Sequence, residues 1–144
     1  MSEFTHIVCP YCNGTNRIPK GSTPTDAKCG RCKKSILDTK PIELSPDNIQ
    51  QHLEKNDIPI LIDFWAPWCG PCKTMGPNFE KASYNFKAKV RFAKVNTQEQ
   101  QSLGGHFHIQ SIPTLILFKQ GKEIDRVSGA LDTNSLIHWV QSKI

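Results

Sequence analysis

No apolar stretch approaches the roughly 20 residues that a membrane-spanning helix needs. The longest, near Ile60–Trp65, carries Asp63 inside it. The first six residues, Met1-Ser2-Glu3-Phe4-Thr5-His6, offer neither a basic n-region nor an apolar h-region, so no secretory signal is expected. Internal repeats and low-complexity tracts are absent beyond a duplicated C-x-x-C. With 38% hydrophobic and 22% charged residues, the composition is that of a soluble globular chain and excludes disorder or a collagen-like repeat. The 144 residues allow one ordinary domain, or one of about 100 residues plus a small module. A net charge of +5 leaves nucleic acid open as a partner without arguing for it.

Cysteine is missing from residues 33–68, and that gap sorts the six cysteines present. All fall into three C-x-x-C pairs: Cys9/Cys12, Cys29/Cys32 and Cys69/Cys72. A disulfide-knit scaffold would scatter them. In a reducing compartment, metal binding or redox chemistry is the better default for this spacing. Residues 1–41 carry seven Lys+Arg and three Asp+Glu, while residues 42–144 carry eleven and ten, so the positive charge sits mainly in the first segment. The chain is therefore expected to divide into a small module and linker (1–41) and a larger domain (42–144), with Asp38-Thr39-Lys40-Pro41 as the join.

The first two pairs fit the C-x₂-C-x₁₅₋₂₀-C-x₂-C template of a tetrahedral zinc site. Cys9-Pro10-Tyr11-Cys12 and Cys29-Gly30-Arg31-Cys32 stand sixteen residues apart. About 40 residues bury too little apolar surface to fold alone, so a structural Zn²⁺ on Cys9, Cys12, Cys29 and Cys32 would supply the folding energy. Two redox dithiols, or an iron site of rubredoxin type, are the alternatives. Lys28, Arg31, Lys33 and Lys34 crowd the second pair. They could contact nucleic acid, but more simply they offset the thiolates: four thiolates and one Zn²⁺ carry a net charge of −2.

From residue 42 onward the pattern alternates strand and helix in the order βαβαβαββα. Strands are expected at Pro41–Leu44, Pro59–Trp65, Val90–Val95, Thr114–Phe118 and Glu123–Val127, the last two forming a hairpin around residues 119–122. Helices are expected to start at Ser45-Pro46-Asp47, to run from about Cys72 to Phe86 with a kink at Pro77, to span roughly Thr97–Phe107, and to follow a cap at Asp132 or Thr133. Such alternation predicts a central sheet covered on both faces.

The third pair is placed differently from the other two. Cys69-Gly70-Pro71-Cys72 follows a continuous apolar strand and opens a helix, with Trp65 and Trp68 beside it and no further metal ligands nearby. A thiol at a helix N-terminus is stabilised as thiolate by the dipole and the unpaired N–H groups. Two intervening residues bring the second sulfur within reach of a disulfide, so Cys72 can resolve a mixed disulfide formed at Cys69.

On these motifs the chain resembles the thioredoxin family. The likeness rests on residues 59–77 (PILIDFWAPWCGPCKTMGP), the Phe92–Asn96 strand, the Ser111-Ile112-Pro113-Thr114 loop, and the late glycines Gly121 and Gly129. With its N-terminal cysteine module it is most similar to the bacterial thioredoxin-2 subfamily, which carries a zinc-binding extension. The resemblance implies the thioredoxin fold, an α/β architecture with a central mixed sheet and helices on both faces, plus a small four-cysteine zinc-ribbon-like module. It implies a protein-disulfide reductase: Cys69 as the exposed nucleophile, Cys72 as the buried resolving thiol, Asp63 as the buried acid that handles the Cys72 proton, Lys94 as its partner, and Pro113 as a cis-proline. An acid within an apolar strand is desolvated, and its pKa should rise. Trp68, Pro71, Ile112, Gly129 and Ala130 would form an apolar docking rim, with the Ile112 backbone pairing an extended substrate; Trp65, Phe64 and Phe79 are expected as plain core. Gly-Pro between the cysteines goes with reductants. His108 stands where the family usually has Gly and is expected to tolerate a positive φ. His106 and His108 lack the companions of a metal site.

Further expectations follow from the resemblance: disulfide-containing protein substrates, an NADPH-dependent thioredoxin reductase as electron donor, no organic cofactor, a cytoplasmic monomer, no membrane and no nucleic acid. The competing hypothesis is a basic zinc ribbon that docks nucleic acid or protein, with the larger domain as scaffold or redox sensor. The combination of Cys69, Cys72, Asp63 and Pro113 argues against it, because a scaffold needs none of them.

Overall fold

Two strands that the apolar pattern does not announce open the chain. The computed structural model describes residues 3–20 and 27–144; Met1 and Ser2, and part of the spacer between the first two cysteine pairs, lie outside the described residues. Strands β1 (Phe4–Val8) and β2 (Thr15–Pro19) pair antiparallel. They pack with Cys9, Cys29, Ile36 and Leu37 into a small core of their own.

The remaining elements follow the predicted order: β3 (Ile42–Glu43), α1 (Ile49–Lys55), β4 (Ile60–Trp65), α2 (Gly70–Ser83), β5 (Arg91–Asn96), α3 (Gln101–His106), β6 (Thr114–Lys119), β7 (Lys122–Ser128) and α4 (Thr133–Gln141). A 3-10 turn, Tyr84–Phe86, ends α2, which runs through Pro77. Helix α1 begins later than Ser45. The Ser45 hydroxyl accepts from the Asp47 amide and the Asn48 side chain accepts from the Ser45 amide, which closes a turn ahead of the helix. Helix α3 is likewise shortened, because the Asn96 side chain accepts from the Gln98 and Glu99 amides and holds residues 96–99 in an Asx turn. Asp132 caps α4 by accepting from Ser135 N at 2.7 Å.

The sheet order is β3-β5-β4-β6-β7, with β3, β5 and β4 parallel and β6 and β7 antiparallel. Strand β4 is central and buried on both faces, which is why Ile60–Trp65 reads as an apolar run interrupted by Asp63 alone. Its side chains alternate between two cores. Leu61 faces Met75 and Phe79 of α2 and Leu136 and Val140 of α4. Ile60, Ile62 and Phe64 face Ile49 of α1 and Leu103 of α3. This is the thioredoxin fold: a mixed sheet with helices on both faces, joined here to a cysteine-rich N-terminal hairpin. His108 has φ 55°, as the sequence led us to expect.

The hairpin is locked onto the sheet by groups the sequence did not single out. Arg91, at the start of β5 and only 4% exposed, donates to the carbonyls of Asp38 (2.8 Å) and Ile36 (2.7 Å). Asn56 accepts from Val8 N at 2.8 Å, and the Asp57 carboxylate accepts from His6 N. His52 Nε2 pairs with the Asn13 side chain at 2.9 Å; burial pushes this histidine down to about 4, so it is neutral. The sequence signal for Arg91 was a charge at a core-facing position of a central strand.

Candidate active site and metal centre

Cys69 is the N-cap of α2, and its sulfur accepts from Cys72 N at 3.2 Å. Pro71 sits in the first turn, where its missing N–H leaves no gap in the helix. Cys69 and Cys72 are joined by a disulfide. Ala66, Trp65 and Ile112 surround the pair. They leave Cys69 only 5% exposed against 3% for Cys72, so Cys69 is more covered than the exposed thiol that the resemblance implies.

The Ile112–Pro113 peptide is cis. Cys69 Sγ lies 3.8 Å from the Ile112 carbonyl oxygen. Gly129, at φ 100°, donates its N–H to the Pro113 carbonyl at 2.9 Å, which brings the β7–α4 loop against the proline loop. Thr114 Oγ1 closes the same loop onto the Ser111 carbonyl at 2.6 Å. Trp68, 70% exposed, stands at the edge with exposed Pro71, Gly129 and Ala130, while Ile112 is half-buried. The predicted rim residues thus lie on segments that meet around the disulfide.

Asp63 is 1% exposed and neither carboxylate oxygen has a hydrogen-bond partner among the described residues. Burial pushes its carboxyl up from the ordinary 3.8 to about 7; Lys94 opposes that shift and Glu43 adds to it. Lys94 is the cross-strand neighbour of Asp63. Its ammonium lies 4.4 Å from the centre of the Trp65 ring, a cation–π contact, and is not bonded to the carboxylate. Trp65 is therefore not plain core as expected. It is half-buried and lines a pocket of about 490 Å³ together with Cys72, Lys73 and Lys94, whereas Phe64 and Phe79 are fully buried as expected.

The other four cysteines converge. Their sulfurs all lie within 4.8 Å of one another. Cys9 and Cys32, and Cys12 and Cys29, are each 3.6 Å apart and unbridged. A tetrahedron with metal–sulfur bonds of about 2.3 Å has edges of about 3.8 Å, so the donor set fits a tetrahedral ion. Both turns repeat one geometry. Tyr11 N and Arg31 N each donate to the first sulfur of their pair at 3.4 Å, and Asn13 and Lys33 adopt φ 64° and 69°. Backbone N–H donors, that of Cys32 first, hold the Cys29 thiol down to about 6, whereas burial pushes Cys9 up to about 12. A shared cation would favour thiolate at all four. Of the basic residues beside them, Lys33 donates to the Gly30 carbonyl and Lys34 lies over the Tyr11 ring.

Comparison with known proteins meets this geometry. The thioredoxin family model matches residues 40–142. The chain belongs to the thioredoxin family. Thioredoxin C-3 of Corynebacterium nephridii is 39% identical over 138 residues, 96% of this chain and 94% of its own length. Thioredoxin 1 of a Nostoc species is 37% identical over 102 residues, 71% of this chain and 95% of its own. At 96% of the chain, the match to C-3 takes in most of the N-terminal cysteine segment as well. Among solved structures, thioredoxin from Malassezia sympodialis (Mala s 13) aligns with TM-score 0.62 and 39% identity, covering 70% of this chain and 88% of that one. A mutant thioredoxin of Halobacterium salinarum aligns with TM-score 0.66 and 28% identity, covering 73% and 91%. This member of the family is a thiol-disulfide oxidoreductase, a protein-disulfide reductase of thioredoxin type. No described helix is long and apolar enough to cross a membrane.

Proposed function

We propose that this thioredoxin reduces partner disulfides through Cys69 and Cys72, while Cys9, Cys12, Cys29 and Cys32 hold a structural Zn²⁺. The observation that carries the reading is the Cys69–Cys72 disulfide at the N-terminus of α2, with its first sulfur taking the Cys72 amide. In the reduced form that amide and the helix dipole favour the Cys69 thiolate. The thiolate attacks one sulfur of the substrate disulfide, and the other sulfur leaves as a thiolate that takes up a proton. Cys72 then gives its proton to the Asp63 carboxylate and attacks Cys69 Sγ, which releases the second substrate sulfur as a thiolate that takes up a proton and leaves the Cys69–Cys72 disulfide. The substrate gains the two electrons that the protein loses. Pro113 and Ile112 align an extended substrate strand, and Trp68, Pro71, Gly129 and Ala130 give it an apolar seat.

The domains divide accordingly: 1–41 as zinc module and linker, 42–144 as the catalytic domain. Zinc on the four thiolates would fold the module and contribute no chemistry to the exchange; no organic cofactor is required. Substrates are disulfide-containing proteins, and an NADPH-dependent thioredoxin reductase returns the dithiol. The reducing cytoplasm, and a monomer, suit these roles. An insulin disulfide-reduction assay tests the assignment. Cys69→Ser should lose activity by about a thousandfold or more, while Cys29→Ser should keep it in the folded fraction; the reverse pattern would overturn it.

A further inference from the structure

Three charged residues stand in one row across the sheet. Glu43 of β3 pairs in register with Lys94 of β5, and Lys94 pairs with Asp63 of β4. All three strands are parallel, so in-register side chains share a face. Ile42 and Leu44 flank Glu43 and turn to the α1/α3 core with Ala93 and Phe64. Glu43 therefore faces the α2 side, as Lys94 and Asp63 do. The pocket of about 490 Å³ beside Cys72 is bounded by Glu43, Trp65 and Lys94.

The position of Glu43 is fixed by the backbone. Leu44 N donates to the Lys94 carbonyl at 2.8 Å, and Asn48 Nδ2 donates to the Glu43 carbonyl at 3.2 Å. The preceding linker is anchored by Arg91 on the Asp38 carbonyl. Lys94 is thus the single cation of a row with a carboxylate on either side.

We infer that Glu43 is a positioning residue for the disulfide exchange: its negative charge, set against the Lys94 cation that stands between the two carboxylates in the row, governs how firmly Asp63 holds the proton it takes from Cys72. The inference rests on the proposed role of Asp63. Other charges do not duplicate Glu43. From β6 the residue opposite Asp63 is Leu115. From α2 come Cys72 and, at the pocket wall, Lys73 and Glu80; the linker adds Lys40. Burial raises the Glu43 carboxyl, Lys94 pulls against that rise, and Glu99 adds to it. Glu43 is exposed at the sheet edge while Asp63 is buried, and two strand spacings place the carboxylates about 10 Å apart, within one screening length of each other. A negative Glu43 disfavours the Asp63 anion, so removing it lets Asp63 ionise at lower pH.

The test is carbon-13 NMR titration of the Asp63 carboxyl in the oxidised protein, read beside the pH profile of insulin reduction. The parent midpoint is expected near 7. Glu43→Gln should lower it by about half a pH unit and move the activity profile by the same amount in the same direction. Glu43→Asp should restore the parent value, Lys94→Gln should move it upward, and Glu80→Gln, a charge lost from the same pocket, should not move it. A Glu43→Gln midpoint equal to the parent's overturns the inference, even if activity drops equally at every pH. Asp63→Asn separates the two levels. If it removes the corresponding step from the pH profile of insulin reduction while Glu43→Gln leaves the Asp63 midpoint fixed, only the role of Glu43 fails. If that step survives Asp63→Asn, the role of Asp63 fails and this inference with it.

Discussion

Three C-x-x-C pairs with the same spacing end up in two kinds of site. After Cys12 and Cys32 the chain turns back on itself: Asn13 and Lys33 take positive φ, and Cys9 N and Cys29 N bond the carbonyls of Gly14 and Lys34 at 2.8 Å. The two turns then face each other and four sulfurs meet. After Cys72 the chain runs on into the fourteen-residue helix α2. There two sulfurs meet only each other, at a dipole, beside an open rim and a buried carboxylate without hydrogen-bond partners among the described residues. The backbone path after the second cysteine decides the chemistry. A tight turn gathers sulfurs into a set that fits a tetrahedral ion, and a helix start puts a sulfur where the proposed thiolate is favoured.

The largest expected effect that separates the two sites comes from metal removal. Structural zinc contributes about 10 kcal/mol or more to the folding of small modules. Strong chelation should therefore raise amide exchange in Phe4–Val8 and Thr15–Pro19 toward that of an unfolded chain, while Ile60–Trp65, in the buried sheet, stays protected. Protection of the N-terminal strands that survives chelation would mean that the sulfurs are not held by a metal. A smaller effect sharpens the other side. Asp63 has a folded pKa of about 7 against the ordinary 3.8, so the native state keeps the proton longer than the unfolded one, and stability falls as pH rises through that window. Asp63→Asn should stabilise the protein by about 2–4 kcal/mol near pH 8 and by almost nothing near pH 4. Urea unfolding at the two pH values checks this; an equal gain at both would remove the buried-charge explanation.

The larger domain was legible because its signals are dense. The β4 run, the Gly-Pro loop into α2, and the 114–128 hairpin each have a local cause, and the topology follows from their order. Helix starts were less legible, since the Ser45–Asn48 turn competes with α1 through side-chain bonds that no periodicity shows. The hairpin β1–β2 was missed for a different reason. Its apolar residues are few, and its order depends on converging thiols and on Arg91, Asn56 and Asp57, whose partners are distant in sequence. At the active site, Cys69, Cys72, Asp63 and the cis Pro113 were readable through the resemblance. The placement of Glu43 and Trp65 beside them was not, because it depends on cross-strand register and on the pocket next to Cys72.

Native mass spectrometry of the protein, before and after reduction by an NADPH-driven thioredoxin reductase, tests the division of the six cysteines most directly. One zinc ion should stay bound in both states, with a mass gain of two hydrogens that peptide mapping places on Cys69 and Cys72. Zinc lost on cycling, or a reducible disulfide among Cys9, Cys12, Cys29 and Cys32, would contradict the separation of cage from catalyst.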